Sequence, residues 1–182
     1  MVAATFDDFV KQRTARARQR AEEFNREETL AAWRRELEVL YDAMEGYLKS
    51  YVDSGEIEIE RRPVQITEEY LGTYEAEVLA LSIGNDEVVA QPVGTLLIGS
   101  SGRVDLSGPR KTLRIVLLEK RGPTLRINIS GSDGPTDTST RSLYRGEVDH
   151  RGWYFVTKPP AATATALDKD SFRDAIMDVS SA

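Results

Sequence analysis

A chain of 182 residues holds one ordinary domain with an appendage but not two full ones. With 40% hydrophobic and 30% charged residues, a net charge of -6 and a pI of about 5.0, it has a folded, water-soluble composition and no overall pull on polyanions. Zero cysteines exclude disulfides, thiol nucleophiles, cysteine zinc sites and iron–sulfur clusters, and one histidine excludes multi-imidazole metal sites.

Residues 1–55 read as helix. Thr5 is a good N-cap with Asp8 three residues on, and Ser54-Gly55 closes the segment with a residue suited to the left-handed C′ position. Leu30, Trp33, Leu37, Leu40, Met44, Tyr47 and Tyr51 step alternately by three and four. That is an unbroken heptad seam, which Tyr41, Leu48 and Val52 widen into a face. Upstream, Val10, Thr14, Ala17, Ala21 and Phe24 keep the rhythm in another register. The six residues from Phe24 to Leu30 rotate the stripe by about 120°. A bent helix or two helices are therefore expected, with the bend or break near Asn25–Thr29.

Residues 56–157 read as strands. Ile57 and Ile59 alternate with Glu56, Glu58 and Glu60, a half-buried strand with an acidic wet face, and Val64-Gln65-Ile66 repeats the pattern after Pro63. In Tyr74–Ile83 the apolar parity changes from Ala76, Val78 and Ala80 to Leu79, Leu81 and Ile83, as in a strand that bends between two faces. Gly84-Asn85-Asp86 is a turn, followed by Val88-Val89, Val93–Ile98 and Val104–Leu106. Thr-Leu-Arg-Ile occurs at 112–115 and again at 124–127. It suggests a hairpin pairing Leu113 with Ile129, Ile115 with Ile127 and Leu117 with Leu125, with Glu119–Pro123 as its loop. A second expected hairpin joins Leu143–Val148 to Trp153–Thr157, and Gly131–Ser142 between them has loop composition.

Lys158–Leu167, with Pro159-Pro160, reads as a linker, and a short last helix follows with Asp170 or Ser171 as cap and Phe172, Ile176 and Val179 on one face. The organisation expected is a helical arm (1–55), a β domain (56–157), and a linker with a C-terminal helix packing on that domain (158–182). The class is α+β, with about eight or nine strands in a mainly antiparallel sandwich or small barrel.

Few residue patterns point to chemistry. His150 sits in Asp-His-Arg-Gly, a turn composition, and no nucleophile accompanies it. Gly99-Ser100-Ser101-Gly102 lacks the spacing of a nucleophile elbow and the lysine of a phosphate loop. Glu75 and Glu77, with Glu68-Glu69 before them, and Asp133 and Asp137 fit a wet sheet face and a polar loop better than a hard-metal site. Arg103, Arg110, Arg114 and Arg126 offer a positive strip that neighbouring acids can neutralise. Lys11, Arg13, Arg16, Arg18 and Arg20 form a basic stretch able to meet phosphates, but acids flank it and no aromatics interleave.

The strongest signal is the aromatic-rich heptad face, which serves either as core against the β domain or as an interface. The reading it supports is a non-enzymatic binding or assembly protein, with no cofactor and no metal. It oligomerises or engages a protein partner through Leu30, Trp33, Leu37, Leu40, Met44, Tyr47 and Tyr51, and the β domain displays loops. The alternatives are a nucleic-acid accessory protein using residues 11–20, or a carboxylate and divalent-metal enzyme on a barrel. With no signal-peptide pattern and no apolar run near the roughly 18 residues of a membrane helix, a cytoplasmic, non-membrane protein is expected.

Overall fold

A computed structural model of the chain describes residues 6–95, 101–129, 137–158 and 162–180. The chain divides into two compact units, Met1–Glu36 and Leu37–Ala182. Among the described residues, the first is a single stretch of helix, and the second holds the end of that helix, nine strands and a closing helix.

Helix α1 runs without interruption from Phe6 to Asp53, 48 residues. Of the two expected forms, two separate helices do not occur. Nothing near Asn25–Thr29 removes a backbone bond, since no proline or glycine lies there, and the Thr29 hydroxyl donates to the Asn25 carbonyl at 2.7 Å within helical geometry. The end is the one expected. Gly55 takes φ 75, and the amides of Gly55 and Glu56 return to the carbonyls of Val52 and Tyr51.

The strands are β1 (Ile57–Glu68), β2 (Gly72–Ile83), β3 (Asp86–Gly94), β4 (Arg103–Ser107), β5 (Thr112–Leu118), β6 (Thr124–Ile129), β7 (Asp137–Ser142), β8 (Gly152–Val156) and β9 (Ala164–Ala166). Seven of them form one antiparallel sheet in the order β1-β2-β3-β4-β5-β8-β9, and β6-β7 form a second, two-stranded sheet. The end strands of the large sheet do not pair with each other, so it is open and not a closed barrel. β2 carries the parity change read from its residues: Tyr74 and Ala76 are buried in its first half, Leu79, Ala80 and Leu81 in its second. Gly84, at φ 60, is the first central residue of the two-residue turn between Ile83 and Asp86, where a positive φ matches the strand twist.

Both expected hairpins are corrected. β5 pairs with β4 and β8, so Leu113 faces Leu106, Ile115 faces Val104 and Phe155, and Leu117 faces Trp153, while β6 turns away to β7. Alternation fixes which side chains share a face but not which strand lies alongside, and three partners could satisfy β5 equally. Residues 143–148 are not a strand, and Arg145 makes only an isolated bridge to Thr163. The presumed loop 131–142 contains β7 and the presumed linker contains β9, whereas Leu96–Ile98, residues 131–136 and Pro159-Pro160 lie outside the described residues.

Helix α2 (Lys169–Val179) is capped by Asp168 and not by Asp170 or Ser171. The Asp168 carboxylate accepts from the amides of Asp170 and Ser171, and the Ser171 hydroxyl accepts from the Asp168 amide. Each side chain thus satisfies an amide that the helix start leaves without a partner. Phe172, Ile176 and Val179 are buried as expected. The Val179 carbonyl accepts from the Arg110 amide at 2.9 Å and lies so close to Gly108 that a Cβ there would fall 2.4 Å from it.

The core lies on both faces of the large sheet. On one, Leu37, Leu40, Tyr41, Met44 and Leu48 of α1 are buried, and the Tyr41 hydroxyl donates to the Glu77 carbonyl at 2.7 Å and the Ala90 carbonyl at 3.3 Å. On the other, Val116, Leu118, Val148, Tyr154 and Ala164 form a smaller cluster with Tyr144, Val156 and Ala166 against it. Burial pushes the Tyr41 phenol well above its usual range, so it remains a neutral donor.

Two outcomes follow from these contacts. Tyr41→Phe is expected to lower stability by about 1–3 kcal/mol, seen as a lower urea midpoint with an unchanged slope. Hydrogen bonds from the Ser171 amide hold the Asp168 carboxyl below its ordinary value. Its stabilisation is therefore complete above the unfolded carboxylate range near pH 4 and is lost as pH falls through the lower folded value. The stability gap between the parent chain and Asp168→Asn, measured by thermal melts from pH 7 to pH 2, should close only at the acid end.

Candidate functional site at the edge strand

β1 is a twelve-residue strand that, among the described residues, has a neighbour on one side only, β2. Its pairing runs through Pro63 opposite Glu77 without a shift. A proline cannot donate to the ladder, so the Pro63 nitrogen faces away from β2. The Tyr41 hydroxyl agrees with this assignment. It lies between the Glu77 and Ala90 carbonyls, which places the Glu77 carbonyl toward β3 and leaves the even residues of β2 to bond β1. The odd residues of β1 therefore direct their N–H and C=O groups outward.

The side chains of those odd residues meet α1. Ile57 is buried, Ile59 half-buried, and Arg61 occupies the third inward position. Its guanidinium donates to Glu45 at 2.7 Å, Asp42 at 2.8 Å and Glu38 at 2.9 Å, three carboxylates in a row on one flank of the helix. It also lies 5.7 Å from the centre of the Tyr41 ring. These bonds, that to Glu45 first, hold the guanidinium further above its usual range. Below them runs a groove of about 500 Å³, walled by Asp42, Glu45, Gly46, Lys49, Val52 and Asp53 of α1 and floored by Ile59 and Arg61.

The residues singled out from the sequence fall in different places. Leu30, Trp33, Leu37, Leu40 and Met44 are buried, Tyr47 is half-buried with its ring 6.2 Å from Phe172, and Tyr51 is 39% exposed beneath the Arg173 guanidinium. Lys11, Arg13 and Arg16 are exposed, and the side chains of Arg18 and Arg20 lie outside those described. His150 is an exposed turn residue whose carbonyl accepts from the Tyr154 hydroxyl. Arg103 is held by both oxygens of Asp105, so that part of the basic strip is neutralised, and the side chain of Arg126 is outside those described. Glu75 and Glu77 are exposed on β2. Glu68 instead accepts from the Thr95 amide, the Thr95 hydroxyl and the Tyr74 hydroxyl, pinning the end of β3. Gly99, Ser100 and Asp133 lie outside the described residues.

Among the described residues no group of three or more histidines or carboxylates could hold a metal ion, and no helix is long and apolar enough to cross a membrane. The Arg61 cluster was not anticipated from the sequence. Its signal was there, because Arg61 shares the parity of Ile57 and Ile59, and an arginine at an inward position needs carboxylates opposite. No protein-family model, no curated protein and no solved structure matches the chain.

Arg61→Gln leaves Glu38, Asp42 and Glu45 facing one another without a cation. The expected loss is on the order of 1 kcal/mol, a melting point lower by about 2–4 °C, because the partners are partly solvated. Repeating the melts in 0.5 M salt should halve the difference; an unchanged difference would assign the effect to packing of the arginine stem.

Proposed function

We propose that the chain is a non-enzymatic binding or assembly protein in which the N-terminal stretch of α1 meets a protein partner, most simply a second copy. One observation carries the reading. Among the described residues, the unit Met1–Glu36 holds a single stretch of helix and no second element to cover a stripe. Helices in water owe most of their stability to packing an apolar stripe, so Val10, Thr14, Ala17, Ala21 and Phe24 are the expected contact. The downstream seam contributes through what remains accessible, chiefly Tyr51, because Leu37, Leu40 and Met44 are buried. The β unit then acts as a scaffold that displays its loops.

A second reading, nucleic-acid binding by the same helix, is favoured by the exposure of Lys11, Arg13 and Arg16. Light scattering after size exclusion separates the two. The full chain should be a dimer or larger, and a chain starting at Asn25 should be a monomer with an unchanged melting point. A monomeric full chain at 100 μM overturns assembly, and retention on DNA that collapses between low and moderate salt would move the function to the second reading.

A further inference from the structure

We infer that the open edge of β1 over Ile57–Arg61, with the α1 flank beside it, takes an extended peptide segment of another protein that carries lysine or arginine at alternate positions. The inference concerns a different element from the α1 assembly stretch and stands without it.

The backbone supplies the first argument. Ile57, Ile59 and Arg61 turn their N–H and C=O groups away from β2, and among the described residues no backbone group bonds to them from that side. Edge strands so presented accept an added strand through main-chain bonds, with specificity set by pockets for alternate side chains. Pro63 ends the run, since its position offers no donor.

Dimensions supply the second. From Asp42 to Asp53 the helix flank extends about 16 Å, the length of about five extended residues. The wall is lowest at Gly46, where a Cβ would meet nothing within 4 Å. Alternate side chains of an added strand would point to the same face as Ile59 and Arg61, into the groove.

Charge selects the occupant. Glu38, Asp42, Glu45 and Asp53 outnumber Lys49 and Arg61 by two along this flank. A cationic side chain entering there completes the balance. A second copy pairing edge to edge would instead bring its own acidic flank against this one, which is repulsive.

The test is a titration of the isotopically labelled full chain, followed by amide NMR. The probe is a nine-residue peptide alternating valine and threonine with lysine and arginine, set against the same peptide with glutamate at the charged positions. The expected result is saturable shifts confined to 57–61 and 42–53 with the basic peptide, none with the acidic one, and weakening as salt rises. Gly46→Arg fills the groove without touching the fold and should cut affinity at least tenfold. Ile59→Pro removes one outward donor and should do the same. Absence of saturable shifts at 57–61 with millimolar basic peptide overturns the inference. So does binding that Gly46→Arg leaves intact, and so does a concentration dependence of the 57–61 amides without peptide, which would make the occupant a second copy.

Discussion

A phenol buried against a sheet must find an acceptor, and where Tyr41 finds it decides where α1 lies. Its hydroxyl reaches two carbonyls at the β2–β3 boundary, where Pro92 sits on β3 with no amide to offer. The register of β2 with β3 is read only as far as Leu79 opposite Ala90, and the phenol satisfies a carbonyl just beyond that point. Once Tyr41 is fixed there, the buried residues three, four and seven positions away must meet the same sheet face. Leu37, Met44 and Leu48 have that spacing, and all three are buried.

The same placement determines the electrostatics of the edge. With Tyr41 inward, Glu38, Asp42 and Glu45 turn toward β1, and Arg61 at the inward parity of that strand meets all three. Neither half is comfortable alone: three acids along one flank repel, and an inward arginine loses solvent. Arg62, at the outward parity, is held by Glu60 and by Glu87 across the sheet, so adjacent arginines on one strand serve opposite faces. An edge so dressed with charge, and interrupted by Pro63, is guarded against indiscriminate pairing while its first half stays accessible.

Much of this was legible in the sequence. The helix end at Gly55, the parity change in β2, the Gly84 turn, the face of α2 and the α+β order of elements follow from local periodicity and turn chemistry, which each segment carries by itself. The partners of β5 were not legible, because Leu113, Ile115 and Leu117 specify an apolar face and any alternating strand can meet it. The Asp168 cap was missed because Asp170 and Ser171 offered equally good capping side chains two and three residues on. The Arg61 groove depended on a juxtaposition between residues 38–53 and 57–61, which the local pattern of neither segment carries.

Strand order also distributes the work of closing the chain. From β1 to β5 each strand lies beside its predecessor, and β4 and β5 are joined through residues 108–111 alone. β5 and β8, by contrast, are brought together only by closing a loop of residues 119–151, in which β6 and β7 form their own ribbon. By loop-closure entropy that longer step is less favourable by about 2 kcal/mol. The sheet is therefore built of a locally zippered meander and a remotely recruited margin. Opening at the β8–β9–α2 margin releases the most chain entropy for the fewest broken ladders, which makes it the natural place for the molecule to begin to breathe.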